Sequence, residues 1–165
     1  MTDTVQVERR EDIAIVSIHR PEKRNALRQE DWIAVGDAIE ILGEDDALRC
    51  IILRGAGEEA FCAGADITNF EAERSDRRKV KAYEAATDRA FLAVRDSRLP
   101  VIAMIHGFCI GGGFELALAA DLRLSGETGR FGVPAKNIGL FLGYHLVQYL
   151  VDAGGRAVAA EILLE

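Results

Sequence analysis

The sequence predicts an α/β fold assembled from strand–strand–helix units, and three observations support this. Short apolar or alternating stretches recur at residues 5–8, 13–18, 50–53 and 101–105, the pattern of strands. Amphipathic stretches of helical period stand between them at residues 29–42 and 75–98. In the third, an apolar strand leads to Gly111, Gly112 and Gly113, then to an almost wholly apolar helix with one acid, Glu115, in its first turn. The unit recurs loosely, without a clean sequence period. A single domain over residues 1–165 is expected, long enough to bury a real core.

Residues 5–8 and 13–18 are close enough to pair as a hairpin through residues 9–12. Residues 20–27 form a basic loop in which Pro21 breaks any ladder. That loop is either solvated surface or a phosphate contact through Lys23 or Arg24. In the helix that follows, Trp32, Ile33, Val35, Ile39, Ile41 and Leu42 fall mostly on one side, and Gly43 closes it. Cys50 to Leu53 is a continuous apolar run, expected to be buried on both faces. A glycine-marked loop contains Phe61-Cys62-Ala63-Gly64-Ala65-Asp66-Ile67, where Asp66 can cap a following helix. The long helix at 75–98 carries Arg77, Arg78, Lys79 and Lys81, with Arg74 just ahead, as a solvated basic face. Pro100 stops it. Two further helices, at 143–151 and 156–164, are separated by Gly154-Gly155.

Composition narrows the function. The net charge of -7 argues against nucleic acid as the main partner. Hydrophobic residues make up 49% of the chain, yet no apolar run approaches the roughly 20 residues of a membrane span. Residues 1–12 are mixed in charge, with no apolar leader core, so a cytoplasmic location is expected. Cys50, Cys62 and Cys109 have no CxxC spacing and read as small buried hydrophobes. His19, His106 and His145 are scattered, and no metal is expected.

The glycine triplet carries the chemistry. Consecutive glycines let backbone N–H groups approach a ligand, since no Cβ intervenes. A helix N-terminus adds unpaired donors and a partial positive charge. That geometry suits a developing oxyanion such as a thioester enolate; a tight turn beside a crowded core would leave the same pattern. Glu115 among Phe114, Leu116, Ala117 and Leu118 is expected to be desolvated, which raises a carboxylate's pKa.

Several motifs in order resemble the crotonase superfamily, the enoyl-CoA hydratase/isomerase family. They are Arg20-Pro21 with Asn25-Ala26-Leu27, the 61–67 loop, Pro100-Val101-Ile102-Ala103, and His106-Gly107 with Gly111-Gly112-Gly113-Phe114-Glu115-Leu116-Ala117. Asp121-Leu122-Arg123 and Phe131-Gly132-Val133-Pro134 follow. The resemblance implies a crotonase-like ββα spiral and an acyl-CoA thioester ligand, with CoA carried by the substrate rather than held as a cofactor. It implies oxyanion-hole amides at Ala65 and Gly112 and a catalytic acid/base at Glu115. It implies CoA contacts along Ala63, Asp66 and Ile67, with Arg24 near the phosphates and Ala26 and Gly111 completing the binding set. It also implies trimers or hexamers.

The chain departs from the family pattern at two places. Ala135 stands where the second catalytic glutamate is expected, which puts efficient hydration in doubt. Leu142-Gly143-Tyr144-His145-Leu146 replaces a glycine-rich turn, and Tyr144 or His145 is a candidate replacement for the missing group. The chain also stops at Glu165, so the family's C-terminal helical region is expected to be shortened or missing, leaving apolar surface uncovered. Isomerisation, decarboxylation, thioester hydrolysis and non-catalytic acyl-CoA binding remain as alternatives to hydration.

Overall fold

The computed structural model describes residues 3–69, 75–135, 139 and 142–164. β1 (Val5–Arg10) and β2 (Ile13–Ile18) form an antiparallel hairpin, turned by Glu11 at φ 56°. α1 (Gln29–Gly43) leads to β3 (Cys50–Gly55) and the short β4 (Ala60–Cys62). α2 (Arg77–Arg95) leads to β5 (Val101–Ile105) and β6 (Phe108–Ile110). α3 (Gly112–Ala119) leads to β7 (Leu122–Ser125) and β8 (Arg130–Gly132), and α4 (Tyr144–Leu164) follows. Each turn of the chain thus lays one strand into a larger sheet, one into a smaller sheet, and a helix between turns.

The larger sheet has the order β1-β2-β3-β5-β7 and the smaller β4-β6-β8. Beyond the hairpin the paired strands of both sheets run parallel. The core lies on one face of the larger sheet, where Val16, Ile18, Ile51, Leu53, Val101 and Ala103 meet the apolar sides of the helices. α1 and α2 pack against each other at Gly36, where a Cβ would lie in ordinary contact with Ala90 Cα, at 3.6 Å.

Two expectations change in the structure: the burial of β3 on both faces, and with it the burial of Cys50. β3 alternates rather than being buried on both faces: Ile51 and Leu53 are inside, while Cys50, Ile52 and Arg54 are only half-buried. The cause is that the described helices cover one face of the sheet. β5 shows the same alternation. At the far edge Leu122 and Leu124 are exposed on the uncovered side, in register with Ile102 and Met104.

The helix boundaries follow local chemistry. Asp76 caps α2, accepting from the Arg78 and Lys79 N–H groups. Arg77, Arg78, Lys79 and Lys81 are exposed on its outer side; Arg74 lies outside the described residues. α4 breaks at Gly155, whose φ of 75° and ψ of 171° interrupt the helix near the expected point. Among the described residues, no helix is long and apolar enough to cross a membrane.

Candidate active site

The site grows from a turn in the 61–67 loop. Gly64 adopts φ 87°, where a side chain is strained, and a Cβ there would lie 2.9 Å from Ile110 O and 3.2 Å from Gly112 N. The loop therefore sits directly beside the first residue of α3. Gly113 lets the two segments close further, since any Cβ on it would strike Cys62 O.

Backbone pairing then decides which amides are free. Leu27 N–H donates to Gly64 O at 2.8 Å, and Asp66 N–H donates to Leu27 O at 2.9 Å. No cis peptide is present among the described residues, so the Ala65 N–H points opposite to Gly64 O, away from Leu27. It has no acceptor among the described residues. Gly112 N–H likewise has no acceptor among the described residues; the first intrahelical bond of α3 runs from Glu115 N–H to Gly111 O, 3.0 Å. Gly111, at φ 56°, caps that helix and donates its own N–H to Gly132 O at 2.9 Å.

Glu115 lies one turn along α3 from Gly112, half-buried, and its carboxylate has no hydrogen-bond partner among the described residues. Burial, reinforced by the Asp88 carboxylate on α2, pushes its pKa up to about 7. Ala135 is buried and brings no titratable group. Trp32 supports the site from behind. Its ring edge, at Cη2 and Cζ2, lies 3.2 Å from where a Cβ on Gly112 would stand. The ring packs edge-on against Phe91 at 5.4 Å and donates its Nε1–H to Tyr83 Oη at 3.0 Å.

The other candidate residues divide into two groups. Arg24, Ala26, Ala63 and Asp66 are drawn together where the 20–28 and 56–68 segments zip. Ala63 N–H donates to Arg24 O, and Ala26 O accepts from Arg20 Nη1 at 2.8 Å. The Arg24 guanidinium is exposed but shared, with Nε 2.6 Å from Glu59 Oε1 and the group 4.8 Å above the Phe108 ring. Asp66 is buried and accepts at Oδ1 from the Thr68 N–H and Oγ–H and at Oδ2 from Arg20. Burial alone would raise its pKa, but the Thr68 and Arg20 bonds outweigh this and hold it below the usual carboxylate range. Ile67 opens a short 3-10 turn and is exposed. Tyr144 and His145 stand on the exposed first turn of α4, rings 6.3 Å apart. Among the described residues, no hydrogen bond or ring contact joins them to Ala65, Gly112 or Glu115.

Sequence reasoning gave no role at the site to Arg20, Asn25, Asp31 or Trp32. Asn25 sits at φ 57° and its side chain ties Arg20 N–H to the carbonyls of Ala56 and Ala60. Asp31 is wholly buried, held by Arg28. The one available signal was that Arg20, Asn25 and Asp66 lie inside the motifs that carry the family resemblance. Cys62 and Cys109 are buried as expected; burial lifts the Cys62 thiol to about 12 and raises that of Cys109 too, leaving both inert. Among the described residues no His, Cys, Asp and Glu cluster could hold a metal.

Two sheets joined by a spiral of ββα turns define the crotonase-type fold. The chain belongs to the enoyl-CoA hydratase/isomerase family, whose pattern matches residues 8–165. It is 30% identical over 161 residues to a crotonyl-CoA hydratase of Syntrophomonas wolfei, covering 98% of this chain and 61% of that protein. Its structure is similar to that of an enoyl-CoA hydratase/carnithine racemase from Magnetospirillum magneticum, with a TM-score of 0.94 and 40% identity over 99% of this chain and 61% of the other. It is also similar to an enoyl-CoA hydratase from Bacillus anthracis, with a TM-score of 0.90 and 28% identity over 97% of this chain and 62% of the other. The chain therefore spans about three-fifths of the length of these relatives.

Proposed function

We propose that this chain binds an acyl-CoA thioester and stabilises its enolate through the Ala65 and Gly112 N–H groups, with Glu115 moving a proton at the α- or β-carbon. The observation that carries the reading is the adjacency of these two unpaired amides, one turn of helix from a half-buried carboxylate. Two amides aimed at one thioester oxygen favour the state in which it is negative; losing one such donor typically costs about 2.7–4 kcal/mol of barrier. Glu115, with a pKa near 7, can both accept and return a proton near neutrality. The thioester brings CoA with it, so the reading assigns no separate cofactor, and it places the reaction in the cytoplasm.

Hydration needs an activated water as well as a proton for the α-carbon. With Ala135 in place of a second carboxylate, Glu115 does this alone. The reading is therefore weak hydration of crotonyl-CoA with retained thioester binding, and one-carboxylate chemistry such as isomerisation, decarboxylation or thioester hydrolysis is its companion. Assembly into trimers or hexamers through apolar surface belongs to the same reading. Loss of enoyl-thioester absorbance, compared among the unsubstituted chain, Ala135→Glu and Glu115→Ala, tests it. Turnover should rise in Ala135→Glu, within the roughly 10²–10⁴-fold that acid–base assistance supplies. It should vanish in Glu115→Ala, and unchanged activity there removes Glu115 from the mechanism.

A further inference from the structure

Arg20 is a partly buried cation that the proposed reaction does not use directly, and the two hydrogen bonds of its guanidinium to Ala26 O and Asp66 Oδ2 lead toward Ala65. One arm, Nη1, donates to Ala26 O at 2.8 Å. That carbonyl shares a peptide group with the Leu27 N–H, which donates to Gly64 O at 2.8 Å. Gly64 O in turn shares a peptide group with the Ala65 N–H. Both peptides are trans, so each carbonyl and its N–H point in opposite directions. The result is a continuous line: guanidinium, first peptide, second peptide, free N–H. The other arm, Nη2, lies 2.9 Å from Asp66 Oδ2 and so grips the residue immediately after Ala65. Asp66 N–H closes the arrangement by donating to Leu27 O.

We propose that Arg20 is a positioning residue for the Ala65 amide, aligning it and polarising it through the two intervening peptide groups. The inference rests on the reading of Ala65 as a donor to the thioester oxygen. Hydrogen bonds in a chain polarise one another, and one that begins on a cation is stronger than one between neutral groups. A donor to Ala26 O draws electron density from that peptide and sharpens its N–H, and the next peptide responds in the same way. The carboxylates of Asp66 and, at 3.9 Å, Asp31 neutralise the guanidinium at longer range. What reaches Ala65 is therefore orientation and polarisation along the chain rather than a bare Coulomb field. The fork geometry matters: a single ammonium cannot serve both Ala26 O and Asp66 Oδ2 with aligned bonds.

The test reads the thioester carbonyl itself. Butyryl-CoA carrying ¹³C at its carbonyl has no double bond to hydrate, so it can be held on the protein while its carbonyl stretch is recorded by infrared difference spectroscopy. The unsubstituted chain is expected to lower that stretch relative to free butyryl-CoA. In Arg20→Gln at least half of the lowering is lost, while the Kd for CoA changes by less than about threefold. On crotonyl-CoA, kcat falls at least about tenfold with little change in KM. Arg20→Lys recovers only part of the shift. If Arg20→Gln does not fold by circular dichroism, Arg20→Lys, which keeps the buried charge, carries the test: its carbonyl stretch must lie between the unsubstituted and free values. A folded variant whose bound carbonyl stretch equals that of the unsubstituted chain overturns the proposal. An unsubstituted chain that binds butyryl-CoA without lowering its carbonyl stretch overturns instead the reading of Ala65 on which the proposal rests, and the proposal with it.

Discussion

Glu115 shows how one residue's surroundings set its chemistry. In water its carboxyl would be ionised well below neutrality; on α3 burial holds the proton to about pH 7. A rate that needs the ionised form should therefore rise with pH through a midpoint near 7, and Glu115→Gln should abolish that limb. Stability must move in the opposite sense. A carboxyl whose folded pKa lies above its unfolded value favours folding while protonated, and that advantage is lost as pH climbs through 7. Glu115→Gln should thus be near neutral at pH 4 and stabilising at pH 8, on the order of 1–3 kcal/mol once solvent exposure is allowed for. Denaturant midpoints of both proteins at the two pH values check this; equal differences at both would show that Glu115 ionises normally.

At the level of elements, the glycine-led end of α3 is held by what stands behind it. α3 is short, and its first turn rests on the Trp32 ring, which is itself fixed by Tyr83 and Phe91 of α2. Trp32 links α1 to the Gly112 amide, so replacing it affects both folding and the site. Trp32→Ala should cost about 3–5 kcal/mol in urea unfolding, in the range of buried aromatic truncations. Trp32→Phe should cost less and leave Gly112 supported. A loss below 1 kcal/mol for Trp32→Ala would mean that the ring is not packed as described. The α1–α2 pairing and the 3-10 turns were legible only in part. Helical period predicted the two long helices, but the two bonds that Asn25, at φ 57°, donates to Ala56 O and Ala60 O come from the meeting of segments more than 30 residues apart.

At the scale of the whole molecule, the larger sheet is unevenly covered. Its inner face meets α1 and α2, whereas Ile52, Ile102, Met104, Leu122 and Leu124 lie on the other, with Leu124 61% exposed at the edge. Parallel sheets are usually covered on both sides, and contiguous apolar surface favours association. Sedimentation at micromolar concentration should show species larger than a monomer, and Leu122→Lys with Leu124→Lys should lower the average mass. A monomer before substitution would remove assembly from the proposed function.

The sequence by itself determined the elements and the family. The alternation of β1 and β2, the helical period of α1 and α2, and the strand–glycine–helix passage at 101–121 are local patterns, readable because strand and helix repeats are set by the backbone. Ala65, Gly112 and Glu115 lie inside the motifs that carry the family resemblance. Only the tertiary structure decided which of their groups are free. The Ala65 amide has no partner among the described residues because Leu27, 38 positions earlier, takes the two groups on either side of it. The Asp66 carboxylate is spoken for because Arg20 and Thr68 reach it first. Glu115 keeps its proton to near neutrality because packing excludes water from its helix face. Hydrogen-bond partners and solvent exposure depend on segments distant in sequence, and no local repeat encodes them.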